Sequence, residues 1–93
     1  MANKKLDARL EKLFHQVGKA HHRAFRDSAG EDPEWPMWYA EHLHGELVNL
    51  LDPDLSKSRL IYLLVVAEKK RSKKKPKGDW PNYYAKFMLK RLG

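Results

Sequence analysis

What the chain lacks excludes several kinds of chemistry. None of the 93 residues is cysteine, which excludes a disulfide framework, a zinc knuckle and a thiol nucleophile. A Gly-rich phosphate loop, a nucleophile elbow and a His-Glu-x-x-His motif are also missing. The serines stand at predicted helix ends or in loops, where capping accounts for them. We therefore expect a protein that is not an enzyme and that uses no cofactor.

Long apolar segments are missing as well. The longest apolar run, Leu60 to Ala67, is too short to span a bilayer, and the N-terminus has no apolar signal-peptide core. A hydrophobic content of 42% is nevertheless enough to form a core. We expect a single domain over residues 1–93, no membrane span, and a cytoplasmic location.

Basic residues are absent from the middle of the chain. Residues 27–54 contain eight acidic residues and no Lys or Arg, whereas residues 1–26 carry a net charge of +5 and residues 55–93 a net charge of +10. One explanation is internal, because an acidic helix gains electrostatic attraction when it packs among basic neighbours. The other is functional, because a basic outer surface attracts polyanions. The two explanations are compatible.

One short segment occurs twice. Trp35 to Ala40 (WPMWYA) recurs as Trp80 to Ala85 (WPNYYA), 45 residues later, and the match continues at Leu43/Met88 and Leu47/Leu92. Proline is favoured in the first turn of a helix, where its missing N–H costs nothing. Each Trp-Pro pair therefore predicts a helix start, with the tryptophan just outside the helix. The repeat divides the chain into two similar halves, by duplication or by two similar helix starts.

The hydrophobic periodicity predicts four helices. Apolar residues in 4–27 recur at steps of four and three, which indicates an amphipathic helix. The Trp-Pro starts predict helices at 36–51 and 80–92. The run Leu60 to Ala67 also suits a buried strand, but nothing else in the chain could pair with one, so we assign it to a helix at 55–71. We predict an all-α fold, a small four-helix bundle of two helical hairpin-like halves, with a basic linker at 72–79.

The aromatic residues of the repeat permit two interpretations. On helical wheels, Trp38 and its equivalent Tyr83 lie away from the main apolar faces of their helices. These two residues, with Trp35 and Trp80, would clamp the preceding loops and cover the bundle ends. Alternatively, they would form exposed platforms for a partner helix or for stacked bases.

The first copy of the repeat carries a resemblance. Residues Asp32 to Ala40 (DPEWPMWYA) resemble a D-P-x-W-P-x-W-Y-A segment of small uncharacterised bacterial helical proteins. The segment covers about a tenth of the chain, and the second copy departs from it by having Tyr83 in place of the second tryptophan. The resemblance implies a bacterial origin and no particular activity or site.

A basic run is the main candidate for a binding site. Seven of the nine residues 69–77 are basic, namely Lys69, Lys70, Arg71, Lys73, Lys74, Lys75 and Lys77. Clustered cations neutralise phosphates and release counterions, which gives sequence-independent, salt-dependent affinity. Trp80 and Tyr83 nearby would add stacking on unpaired bases. The run predicts binding to nucleic acid or another polyanion, and a solvated linker is the alternative.

A second functional hypothesis is a protein–protein interaction module or a homodimer. A helix that is apolar on every side is either central in a bundle or buried by a second subunit, and the predicted third helix has this character. Tyr62 on that helix, together with Trp38 and Tyr83, would make the contact.

A third hypothesis places a metal ion in the bundle. His21 and His44 fall on the apolar faces of the first two helices, where we expect them to face each other as hydrogen-bonded structural residues. Glu41 and His44 also form a Glu-x-x-His step like that of di-iron bundles. The second copy has Lys86 and Leu89 at these positions, so we predict no native metal site.

Overall fold

The computed structural model describes residues 4–28, 32–74 and 80–92 as an all-helical chain. The four α-helices are α1 (Lys4–Ala24), α2 (Trp35–Leu50), α3 (Lys57–Lys74) and α4 (Trp80–Leu92), and a short 3-10 helix (Arg26–Ser28) follows α1. No strand occurs in these ranges, so the assignment of the apolar run to a helix is confirmed.

The helices form a closed ring of neighbours. The most extensive packing joins α1 to α4 and α2 to α3, and the α1–α2 and α3–α4 contacts complete the ring. Gly18 of α1 faces Trp80 at the start of α4, and Phe14 contacts Tyr84 one turn further along, so α1 and α4 run antiparallel. The predicted four-helix bundle is confirmed, with the last turns of α1 and α3 and the first turns of α2 and α4 at one end.

The core draws on all four helices at the predicted periodicity. Its largest fully buried side chains are Phe14, Leu10, Leu43, Leu47, Leu60, Leu64 and Met88. Each contributes about 1.5–3 kcal/mol through removal of its apolar surface from water. Ala40 and Ala85, which are equivalent in the repeat, are 1% and 0% exposed, so both copies turn the same face inward.

One Asp-Pro turn precedes α2, and a second Asp-Pro turn separates α2 from α3. Asp32 and Asp52 each accept a hydrogen bond at Oδ1 from the backbone N–H two residues later, at 3.0 and 2.9 Å. Such turns compete with helix continuation, and the proline after each aspartate reinforces the break. Ser56 then caps α3, because its Oγ accepts from the N–H of Arg59 at 3.1 Å.

The helix boundaries differ from the sequence prediction by a few residues. Trp35 is the first residue of α2, although the following proline predicted it outside. The N-terminal helix ends at Ala24 and not at Asp27, while α3 continues beyond Arg71 to Lys74. Basic side chains in the last turn of α3 interact favourably with the partial negative charge of a helix C-terminus, which explains the extension. The remainder of the predicted basic linker, 75–79, lies outside the described residues.

Within the described ranges, no helix combines the length and the apolar character that crossing a bilayer requires.

Candidate functional site

A groove between α3 and α4 is lined only by basic and aromatic side chains. It encloses about 400 Å³ and is formed by Lys70, Lys74, Tyr83, Lys86, Phe87, Lys90 and Arg91. The five cations are exposed, and none of them forms an ion pair with a carboxylate of the described residues. We call this surface the basic groove. Its unneutralised charge creates a positive potential that attracts polyanions.

Helical spacing explains how the basic groove is formed. Lys70 and Lys74 stand four residues apart on α3, and Lys86 and Lys90 stand four apart on α4. Residues at this spacing lie above one another on one face of a helix. The opposite face of α4 is buried through Ala85 and Met88, so packing against the core turns the cations outward.

The aromatic side chains of the basic groove are partly buried. Phe87 is partly buried against the hydrophobic core, and the guanidinium carbon of Arg91 lies 4.9 Å from the ring centroid. Arg91 follows Phe87 by about one helical turn, and this cation–π contact holds the Arg91 charge beside the ring. Tyr83 lies one turn earlier on the same face, so rings and cations share one surface.

The structure distributes the predicted polyanion residues over several surfaces. Lys70, Lys74 and Tyr83 line the basic groove. Lys69 and Lys73 are exposed on α3 but do not line it. Arg71 and Trp80 line a different cleft. Lys75 and Lys77 lie outside the described residues.

Sequence reasoning missed four of the five residues that α4 supplies to the basic groove. Lys86, Phe87, Lys90 and Arg91 are not contiguous with the lysine run, so only the packing of α3 against α4 adds them to it. The available signal was the four-residue spacing of Lys86 and Lys90 on the exposed side of a predicted helix.

A second cleft lies at the end of the bundle where the repeat begins. It encloses about 350 Å³ and draws residues from all four helices and the turn before α2, namely His21, Asp32, Trp35, Tyr39, Glu68, Arg71, Trp80 and Tyr84. We call it the bundle-end cleft. Its four aromatic residues are two equivalent pairs of the repeat, so both copies line the same space.

Both copies of the repeat build the same ring pair. The centroids of Trp35 and Tyr39 are 5.9 Å apart with planes at 84°, and those of Trp80 and Tyr84 are 5.6 Å apart at 85°. Tyr39 also contacts Trp80, at 6.2 Å and 80°, which joins the two pairs. Edge-to-face contacts of this kind are favourable beyond their buried area. The four rings therefore form one continuous aromatic wall.

Trp38 occupies a different position from the aromatic wall. Its indole stacks on His42 one turn later, at 3.8 Å and 16°, and meets the edge of His21 at 4.9 Å. The side chain is half-buried against the core, as is that of Tyr83. Neither is a fully exposed platform, which supports the interpretation that Trp38 helps to cover this end of the bundle.

Glu68 organises the polar side of the bundle-end cleft. It accepts hydrogen bonds from Arg71 Nε and Nη2, both at 3.0 Å, and from the Tyr84 hydroxyl at 2.8 Å. Burial acts to raise the pKa of Glu68, but the hydrogen bonds from Arg71 and Tyr84 and the charge of Arg71 outweigh it and lower the pKa. Burial, followed by the bond to Glu68, raises the pKa of Tyr84. The Glu68 side chain is therefore held in place as an ionised carboxylate, and the Tyr84 hydroxyl is held in place as a hydrogen-bond donor.

The two predicted core histidines occupy separate surroundings. His21 is 8% exposed, and its Nε2 lies 3.2 Å from Asp32 Oδ2. Its ring packs against Trp38 and Tyr39 in the first turns of α2, whereas Nε2 of His44 lies 2.6 Å from the carbonyl oxygen of Leu55. The expectation that the two rings face each other was wrong, because α2 places its N-terminal aromatics beside His21. Their interpretation as hydrogen-bonded structural residues is supported.

The residues of the metal hypothesis are not assembled into a site. Glu41 pairs with Lys57, whose Nζ lies 3.0 Å from its Oε1, while His21 and His44 hold the partners given above. Across the parts of the chain that the structure describes, no three His, Asp or Glu side chains are grouped so that they could hold a metal ion.

Comparisons of the chain with protein-family models, with curated proteins and with solved structures found no match. Function is therefore inferred from the chemistry of the basic groove and the bundle-end cleft.

Proposed function

We propose that the protein is a non-enzymatic module that binds nucleic acid through the basic groove. The observation that carries the proposal is the lining of this groove, which consists of five cations and two aromatic rings. Cations of this kind neutralise backbone phosphates and release counterions. Aromatic rings that lie among the cations can stack on bases. Other polyanions have no bases, so the rings favour nucleic acid as the ligand.

The disposition of the acidic residues supports this proposal. Glu41, one of the acids of residues 27–54, pairs with Lys57 on another face of the bundle, with its Oε1 3.0 Å from Lys57 Nζ. Glu46 lies with Arg9 and Lys12 in a shallow depression between α1 and α2. These acids offset part of the positive charge on other faces, while the basic groove keeps its charge available for a ligand.

The composition of the basic groove indicates the kind of affinity expected. Four of its five cations are lysines, which act as point charges, and only Arg91 offers a bidentate fork. Base-specific readout favours arginine, asparagine and glutamine in defined geometries. We therefore expect binding that depends steeply on salt and weakly on sequence.

Fluorescence anisotropy of a labelled oligonucleotide, titrated at several salt concentrations, tests the proposal. The double variant K86Q/K90Q removes two charges from the basic groove without touching the core. Two lost phosphate contacts should lower affinity about tenfold at moderate salt and reduce the slope of log K against log salt by about 1.5.

The matched control is R9Q/K12Q, which lowers the net charge equally at exposed positions between α1 and α2. It should leave the salt slope unchanged. Equal losses from the two double variants would show that only net charge matters. Absence of binding by the wild-type protein at low salt would overturn the proposal.

The protein-interaction alternative has one observation in its favour. Tyr62 on α3 is 64% exposed, although Leu60, Leu63 and Leu64 of the same apolar run are buried within the bundle. A homodimer formed through this face would sediment at twice the 11.0 kDa of one chain, and Y62S would return it to the monomer mass. A monomeric wild-type protein at high concentration would exclude the homodimer.

A further inference from the structure

We propose that the bundle-end cleft receives an unpaired base, so that the nucleic acid bound by this protein is single-stranded. The inference rests on the proposed function, because the basic groove supplies most of the affinity. It assigns a role to the aromatic wall and to the polar groups opposite it.

The size and lining of the bundle-end cleft suit a flat, polar ring. Its volume of about 350 Å³ falls within the range of small-molecule sites, roughly 300–1,000 Å³. Trp35, Tyr39 and Trp80 offer aromatic surface for stacking, which tolerates any base because every base has a π face. Such a ring would exchange contact with water for contact with these side chains.

The polar side of the bundle-end cleft offers groups that a base edge requires. Arg71 has five N–H donors, of which the structure commits the Nε–H and one from Nη2 to Glu68. Asp32 and Glu68 add carboxylate acceptors, and hydrogen bonds within the protein hold both in place. Base edges carry donors and acceptors together, so fixed groups of both kinds match them.

Cations flank the bundle-end cleft on the α1 side. An adjoining depression shares His21, Tyr39 and Trp80 with the cleft and adds Lys19 and Arg23, which are exposed. Phosphates on either side of an inserted base need such charges.

The basic groove flanks the bundle-end cleft on the other side. Lys70 and Tyr83 line the groove, whereas their chain neighbours Arg71 and Tyr84 line the cleft. The two sites are therefore one residue apart on both α3 and α4. A single strand that follows the basic groove reaches the cleft without leaving the surface, whereas a duplex would first have to unpair a base.

The test uses the wild-type protein and ligands matched in charge. A short single strand is compared with a fully abasic backbone of the same length and with the duplex of the same sequence, by anisotropy and by tryptophan emission. Stacking of one base corresponds to about 1–3 kcal/mol, so the intact strand should bind about 5- to 150-fold more tightly than the abasic backbone. It should also quench tryptophan emission, which the abasic backbone should not.

Variants then locate the base. W35L should reduce affinity for the intact strand to nearly that for the abasic backbone and leave the salt slope unchanged. Y62L, which removes an exposed aromatic ring near the start of α3 and away from the bundle-end cleft, should have no effect. Because W35L also removes core contacts, R71K provides a second variant, which keeps the positive charge but removes the planar set of N–H donors, and we expect it to weaken the intact strand selectively.

The failures of the two proposals are distinguishable. If intact and abasic strands bind equally and emission is unchanged, the bundle-end cleft receives no base, while the basic groove remains a phosphate site. If no ligand binds at low salt, the proposed function itself fails. Preferential binding of the duplex would also overturn the inference.

Discussion

The two Trp-Pro helices, α2 and α4, bury similar residues at equivalent positions, but the charges on their exposed faces are of opposite sign. Their inward positions are occupied alike, by Ala40 and Ala85 and by Leu43 and Met88. On the exposed side, Glu41, Gly45 and Glu46 of α2 correspond to Lys86, Lys90 and Arg91 of α4. The bundle thus uses one packing pattern twice and reverses the charge on its outer surface. Packing and the aromatic wall of the bundle-end cleft depend on the repeated residues, whereas the charge of the basic groove depends on residues that are not repeated.

The repeated Trp-Tyr pairs also differ in their surroundings. Tyr84 is 5% exposed and donates to Glu68, whereas Tyr39 is half-buried and packs against the His21 ring. The second copy is therefore tied to α3 by a polar network, and the first copy is tied to α1 by aromatic contacts. Five predictions below probe these differences, and four of them compare equivalent positions of the two copies.

The largest effect is expected at the buried pair Leu43 and Met88. Both side chains are fully buried, so L43A and M88A should each lower the free energy of unfolding by about 2–5 kcal/mol. Chemical denaturation followed by circular dichroism measures the loss. Similar losses would extend the equivalence of the copies to energetics, whereas a cost below about 1 kcal/mol at one site would break it.

A smaller effect is expected from removing the hydroxyl of Tyr84. Y84F eliminates the hydrogen bond to ionised Glu68 and should cost about 1.5 kcal/mol, the lower end for bonds to charged groups, because Glu68 is one-third exposed. Y39F should cost less, since no hydrogen bond from the Tyr39 hydroxyl is recorded among the described residues. Equal costs would contradict the distinction between the two tyrosines.

Alkaline pH provides an independent check on the same pair. Burial raises the pKa of both tyrosines, and the bond to Glu68 adds to the effect at Tyr84. Because the pKa of each tyrosine is higher in the folded than in the unfolded state, the folded protein keeps the phenol proton to a higher pH. The stability that each tyrosine contributes is therefore fully present below pH 10 and falls as pH rises above it. Y84F should flatten this decline more than Y39F.

Substitution of Gly18, with Gly45 as the control, tests the close approach of Trp80 to α1. A Cβ on Gly18 would lie 2.4 Å from Trp80 Cζ2, whereas a Cβ on Gly45 meets nothing within 4 Å. G45A should therefore stabilise the protein by up to about 1 kcal/mol through helix propensity. G18A should destabilise it by about 1 kcal/mol net, because overpacking against a rigid indole outweighs the same gain. Stabilisation by both substitutions would show that Trp80 withdraws freely.

The smallest effect is expected from the exposed charges. Glu41 pairs with Lys57, but both side chains are more than half exposed, so E41A should cost at most about 1 kcal/mol. Its equivalent Lys86 has no such ion pair among the described residues, and K86A should leave stability within about 0.5 kcal/mol of wild type. Urea denaturation of both variants, at low and high salt, measures the difference. A cost for K86A as large as that for E41A would indicate an unrecognised partner of Lys86.

The sequence predicted the helices because their signals are local. The spacing of apolar residues in α1 and the proline after each repeat tryptophan are written in consecutive residues. Boundaries were less accurate, since charge in the last turn extended α3 beyond the predicted end.

The sites were less predictable because they depend on which helices are neighbours. Seven basic residues within a run of nine suggested one surface, yet a helix turns successive side chains in different directions. Lys70 therefore faces the basic groove while Arg71 faces Glu68. The bond from Tyr84 to Glu68 joins residues 16 apart on different helices, which no local pattern encodes.

The distribution of the tryptophans makes one end of the bundle optically distinct. All three indoles of the chain lie there, two in the aromatic wall and Trp38 beside His21. Tryptophan emission therefore reports on that end alone, whereas circular dichroism reports on all four helices. If tryptophan emission changes at a lower denaturant concentration than circular dichroism, the end that holds the bundle-end cleft opens before the remaining helices unfold.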